Sequence, residues 1–262
     1  MDSRHLLKGT GTGVDHLRVN RSTLLAISAV VSVVMLAVAF RVASPSLTSD
    51  VTASYEVRGD SIVLLEGDPE PWHAGAWERW VELVPTSSRW RVGRFETIEG
   101  STDGQLEPIS DSLQVWILRI SQLEEQVLDV ALIHELGHLV SLGPGEILPE
   151  SSVGDDCLTY QSVEGCAIAG GVFDRFVSQF WDAEAGWKGG SAAAEQRYRA
   201  DPDSYVTEYA ATNPGEDVAE TFVFFVYRLP PTGATTADAK IDLLWEFPHL
   251  VELREALRRN LG

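Results

Sequence analysis

Residues 121–144 read SQLEEQVLDVALIHELGHLVSLGP, and the rest of the chain is interpreted outward from this stretch. Leu128, Ala131, Leu132 and Leu139 recur at the spacing of a helix that buries its apolar positions. Ser121 with Glu124 has the form of a capping box, and Gly143-Pro144 supplies a stop, so the pattern predicts a helix from about Ser121 through Ser141. That helix carries His134, Glu135 and His138. Residues four apart share one helix face, so both imidazoles can reach a single ion while Glu135 lies beside them to take a proton from water. The chemistry expected of such an H-E-x-x-H helix is Zn2+-assisted hydrolysis. Two competing readings stand beside it. One is a binding module that keeps a zinc fold without catalysis and has no use for Glu135; the other is an interaction protein whose H-E-x-x-H is accidental.

Two histidines do not hold zinc alone, so a further ligand should follow. An extended H-E-x-x-H-x-x-G-x-x-H pattern fails, because Ser141 stands at its glycine and Pro144 at its last histidine. The sole later histidine, His249 beside Pro248, reads as a packing or surface residue, which leaves a carboxylate. Asn213-Pro214 has the form of a helix start, with Asn as cap and Pro in the first turn. Glu216 and Glu220 then fall on one face, opposite Phe222 and Phe225. Spacing allows either to bind the metal, with the other accepting a hydrogen bond from a ligand imidazole.

The stretch YAATNPGEDVAETF, residues 209–222, following HELGH, resembles the third-ligand segment of zinc metallopeptidases of the gluzincin type. The catalytic domain of anthrax lethal factor is a distant relative within that resemblance, with the pattern Y, N-x-x-E-x-x-A-E-x-F. The resemblance implies that Glu216 binds zinc, that Glu220 supports a ligand histidine, and that Tyr209 stabilises the tetrahedral intermediate. Thr159, Tyr160 and Glu164-Gly165-Cys166 also match a T-Y and E-G-C run of this bacterial group. Three short blocks thus carry a resemblance spanning residues 68 to 262. It implies an α+β, zincin-like domain with a small mixed sheet and an active-site helix, acting on a peptide or protein substrate. Nothing in the chain resembles a toxin's receptor or delivery domain.

Around these blocks the expected elements are a hairpin within residues 55–65 turning at Gly59-Asp60 and a helix over 72–84. Strands are expected over Trp90–Ile98 and Leu113–Ile120. The second of these strands precedes the active-site helix, and is expected to line the cleft and pair with extended substrate. Residues 144–171 read as loop. Phe173, Phe176, Val177, Phe180 and Trp181 form an amphipathic helical stripe, residues 183–204 hold a short helix, and a last helical segment runs from about Ala237 to Leu261 with a break near Pro248.

Towards the N-terminus, Ser22 to Phe40 is nineteen residues without a charge, about the length a helix needs to cross a bilayer. Arg4, Lys8, Arg18 and Arg21 precede it, so the basic-side rule places the N-terminus in the cytoplasm and the rest outside. The expected organisation is a cytoplasmic tail at 1–21, a transmembrane signal anchor at 22–41, a linker at 42–54 and an extracytoplasmic domain at 55–262. The alternative is a signal peptide cleaved near Ala37-Val38-Ala39, which would make the domain secreted. Outside the membrane, Cys157 and Cys166 are expected to form a local disulfide, against the alternative of two unpaired core residues. Of 262 residues 39 are acidic and 20 basic, for a formal charge of −19. Nucleic-acid binding is disfavoured, since phosphate contacts need clustered Lys and Arg.

Overall fold

The computed structural model of the protein describes residues 50–100, 103–149, 157–181, 191–231 and 233–262. Its architecture is α+β: a small mixed sheet with helices packed on it. The expected tail and membrane segment lie outside the described residues. Within them, no helix is long and apolar enough to cross a membrane.

β1 (Asp50–Arg58) and β2 (Ser61–Gly67) form the expected hairpin. Gly59 takes φ 64° at its two-residue turn, a left-handed conformation that glycine adopts without penalty. Because β1 begins at Asp50, residues 50–54 belong to the sheet and not to the linker assigned to them from sequence. α1 (Pro71–Leu83) buries Ala76, Trp77, Trp80 and Leu83, and is followed by a single turn, α2 (Thr86–Arg89). β3 (Val92–Glu99), β4 (Gly104–Pro108) and β5 (Trp116–Ile120) complete a five-stranded sheet of order β2-β1-β3-β5-β4, in which only the β3–β5 pairing is parallel.

Strand register sorts the two faces. Tyr55, Phe95, Leu118 and Leu106 stand in one row across four strands, facing α1 through the Trp77–Phe95 ring contact at 5.6 Å. The neighbouring row, Ser54, Glu96, Arg119 and Gln105, faces the other way, and is joined by Ser54 to Glu96 (3.2 Å), Arg119 to Glu96 (2.8 Å) and Arg119 to Gln105 (3.3 Å). This alternation follows from the two-residue period of a strand.

Three sequence expectations need correction here. The strand expected over Leu113–Ile120 starts only at Trp116: Leu113 sits in a turn at φ 57°, its amide donating to Ser110 O and its buried side chain plugging the core. β5 also cannot pair with substrate, since β3 and β4 occupy both of its edges. The capping box does not form either. Ser121 gives its amide and hydroxyl to Asp103 O at 3.0 and 3.2 Å, and the helix begins at Glu125 with Glu124 as its cap residue.

α3 (Glu125–Leu142) carries the H-E-x-x-H residues and is apolar around most of its circumference, as befits a helix enclosed on several sides. The following segment holds two short paired strands, β6 (Ile147–Pro149) and β7 (Gly165–Ala167), with the Cys157–Cys166 disulfide beside them, Cα atoms 5.6 Å apart. α4 (Val172–Phe180), α5 (Ser191–Ala200), α6 (Pro214–Tyr227), α7 (Thr236–Trp245) and α8 (Pro248–Asn260) follow. α6 is buried over nearly its whole length, and it packs directly across α3.

Candidate metal centre

The centre is built where α3 crosses α6, and two small residues permit that crossing. A Cβ placed on Gly137 would stand 2.9 Å from the Cα of Ala219 and 3.3 Å from its Cβ, closer than such atoms pack. Glycine inside a helix costs about 1 kcal/mol relative to alanine, and here it allows two backbones to touch. The residues flanking this contact, three before and one after it, are His134 and His138 on α3 and Glu216 and Glu220 on α6, and they are thereby brought together. The register of α6 is fixed at its start, where Asn213 Oδ1 accepts from the Glu216 amide at 3.0 Å and Pro214 occupies the first turn.

Glu216 Oε2 lies 3.2 Å from His134 Nε2 and 3.3 Å from His138 Nε2, and the two imidazole nitrogens are 3.1 Å apart. One ligand atom from each of the three residues falls within 4.8 Å of the others, a group that could hold a metal ion. Glu220 is elsewhere. Its Oε1 meets the opposite ring nitrogen, His134 Nδ1, at 2.8 Å, and its Oε2 accepts from Thr207 Oγ1 at 2.7 Å. The two carboxylates that spacing left interchangeable are thus distinguished by the ring atom each one faces.

Donor chemistry agrees with a cation. Glu135 and Glu220 are 3% and 2% exposed, Glu216 is mostly buried, and among the described residues no Lys or Arg pairs with any of them. Buried carboxylates without positive partners are costly. Burial by itself would make His134 harder to protonate, yet its hydrogen bonds to Glu216 and Glu220 and the nearby carboxylate charges raise its pKa well above the ordinary value. Burial would likewise raise Glu216, but the charge of His138 and the hydrogen bonds from His134 and His138 hold it well below the usual carboxylate range. The site therefore attracts positive charge, and two imidazole nitrogens with one carboxylate oxygen form a donor set that could hold a metal ion.

Glu135 stands next to the ligands but does not join them. Its Oε1 packs on Gly104, where a Cβ would come within 2.7 Å, and its Oε2 has no hydrogen-bond partner among the described residues. Burial raises its pKa, opposed by the two histidines. Tyr209, in a 3-10 turn over Tyr209–Ala211, places its ring 5.8 Å from that of His134. Burial, then the charges of Glu216 and Glu135, raise the phenol pKa well above its ordinary value, so it keeps its proton. His249 packs against Phe247 and is not part of the cluster.

Three participants escaped sequence reading. Gly104 and Thr207 carry no motif. Lys240 is buried on α7, donating to Asp217 Oδ2 at 2.6 Å and to Ser204 O, and so ties the first turn of α6 to its surroundings. Asp217 also accepts from Trp181 Nε1 at 2.8 Å. A separate cavity of about 380 Å³, lined by Trp72, Arg79, Glu82, Ser121, Leu123 and Leu128, lies at the N-terminal end of α3, and none of the clustered residues lines it.

No family model matches the chain, and no curated protein or solved structure matches it either.

Proposed function

We propose that the protein is a zinc-dependent endopeptidase with a zincin-like domain of the gluzincin type. The observation that carries this reading is the convergence of His134, His138 and Glu216 on one point while Glu220 takes the far nitrogen of His134 and Glu135 stands beside them unligated. A structural metal site has no need of that adjacent carboxylate.

Zinc held by His134, His138 and Glu216 would act as a Lewis acid and make water acidic near neutral pH. Glu135, within the same pocket, would take the proton of the attacking water and deliver it to the leaving amine. The Tyr209 phenol, still protonated, would donate to the oxygen that becomes negative as the peptide carbonyl is attacked. Glu220 would hold His134 in the tautomer whose Nε2 lone pair faces the metal. β4 is an outer strand of the sheet, and Gly104 at its start touches Glu135, so an extended peptide could add to its edge beside the base. Its final residue, Pro108, lacks an amide hydrogen and so cannot donate at that end. The proposed setting is extracytoplasmic, either anchored by the apolar segment at 22–40 or released from it.

Metal analysis of the purified protein, followed by digestion of a random peptide mixture, tests the reading. Stoichiometric zinc with cleavage is expected. A protein without zinc is not this enzyme, and zinc without cleavage of any peptide indicates a binding module. Glu135→Gln should keep its zinc and lose at least ~10²-fold in turnover, the usual contribution of a general base.

A further inference from the structure

Thr207 reaches the centre from outside it. Its side chain is buried, and its hydroxyl makes two contacts, to Glu220 Oε2 at 2.7 Å and to the Ala210 amide at 3.1 Å. A hydroxyl has one hydrogen to donate. The backbone amide of Ala210 can only donate, so it takes a lone pair of Thr207 Oγ1, and the hydroxyl hydrogen is left to point at Glu220 Oε2. Both orientations are therefore fixed by one atom.

Each contact leads to a different part of the site. The terminal torsion of a glutamate is broad, so a carboxylate held at one oxygen can still swing. Glu220 is held at both, Oε1 by His134 Nδ1 and Oε2 by Thr207. In the other direction, Ala210 is the second residue of the turn that carries Tyr209. We infer that Thr207 is a positioning residue whose hydroxyl couples the orientation of Glu220, and through it of the metal ligand His134, to the placement of Tyr209. This inference rests on the metallopeptidase reading above.

The test compares Thr207→Val, which keeps the shape and removes the hydroxyl, with Thr207→Ser, which keeps the hydroxyl, and adds Thr207→Ala should Val fold poorly. Zn2+ affinity of the full-length chain is measured by competition with a chromogenic chelator at matched folding, without substrate. Turnover is measured separately at saturating Zn2+. Thr207→Val and Thr207→Ala should lose about 10-fold in affinity, as outer partners of ligand histidines commonly do, and Thr207→Ser should stay close to the parent. In a Glu220→Ala background, Thr207→Val should bring no further loss of affinity, because its path to His134 is already cut. At saturating Zn2+, kcat should fall in Thr207→Val with KM little changed, reporting the misplaced Tyr209.

Parental affinity in both Thr207→Val and Thr207→Ala, equal impairment of Ser and Val, or additive losses with Glu220→Ala would each overturn the role. A chain that shows the affinity ranking yet cleaves no peptide refutes the peptidase reading and leaves the coupling to His134 in place. One that cleaves peptide while Thr207→Val matches the parent refutes the coupling alone, and one that binds no Zn2+ refutes both.

Discussion

The crossing of α3 and α6 and the described parts of the disulfide-bearing segment, residues 144–149 and 157–171, solve the problem of holding chain in place by different means. At the crossing, residues far apart in sequence must be set to within a hydrogen bond of one another, and no covalent link is used. The work is divided between the Gly137–Ala219 contact, the Asn213 cap, the buried Lys240–Asp217 pair and the Thr207–Glu220–His134 chain. The disulfide segment closes only a short local loop, with β6–β7 pairing and the Cys157–Cys166 link, and it leaves Leu158 98% exposed and Val163 also exposed. Atomic placement is obtained from packing that leaves no slack, whereas a crosslink is sufficient to confine a loop.

The most severe test of that contrast is at the ligands. On the proposed reading, Glu216→Ala should lose nearly all of its zinc, whereas Glu220→Ala, which removes only the group behind His134, should weaken affinity by about 10 to 100-fold. The reverse ranking, measured as metal content at matched folding, would mean that α6 is displaced by one turn against α3.

Gly137→Val should come next. A branched side chain forced against the Ala219 backbone has no empty space to occupy, and overpacking of this kind costs about 1–3 kcal/mol. Zinc retention should fall along with the urea midpoint, because the two halves of the donor set are pushed apart. A variant with parental zinc affinity would show that the crossing tolerates separation.

Replacing both Cys157 and Cys166 with serine should cost about 2–3 kcal/mol on the chain-entropy model for a loop of this length, while metal content stays at the parental level. Equal loss of stability and of zinc would erase the distinction between the two regions.

The smallest effect concerns Glu146 at the root of the disulfide segment. It accepts from the Phe173 amide at the start of α4, but burial dominates and, with Asp174 nearby, pushes its pKa up from 4.5 to about 7. A carboxyl raised in this way holds its proton more tightly folded than unfolded. Its contribution is therefore complete below about pH 4.5 and is lost as pH rises through about 7. Urea titrations across that window should show Glu146→Gln with a shallower decline than the parent; parallel curves would contradict the assignment.

How much of this was readable in advance depended on how strongly each element declares itself. α3, α4 and α6 were legible because apolar spacing, the Asn213-Pro214 start and the Gly143 stop all agree. β4 was not, since Gly-Gln-Leu-Glu-Pro contains one apolar residue and reads as loop; an outer strand needs only one hydrogen-bonded edge and little apolar content. Leu113 misled for the opposite reason, being apolar and buried while standing in a turn. The choice between Glu216 and Glu220 lay beyond spacing because it is made by the crossing, a tertiary contact. Thr207 illustrates the same limit, as one threonine among many until Glu220 is seen beside it.

The placement of β5 between β3 and β4 also orders events in time. As the chain emerges from the ribosome, β4 has no strand to pair with until β5 follows it into the slot beside β3, and α3 begins only five residues later. A nascent chain that has reached Leu142 carries His134, Glu135 and His138 but neither Glu216 nor Glu220. On the proposed reading, such a chain is chemically inert: it cannot cut itself or its neighbours until α6 has been made and docked. Late synthesis of Glu216 would then serve as a built-in delay.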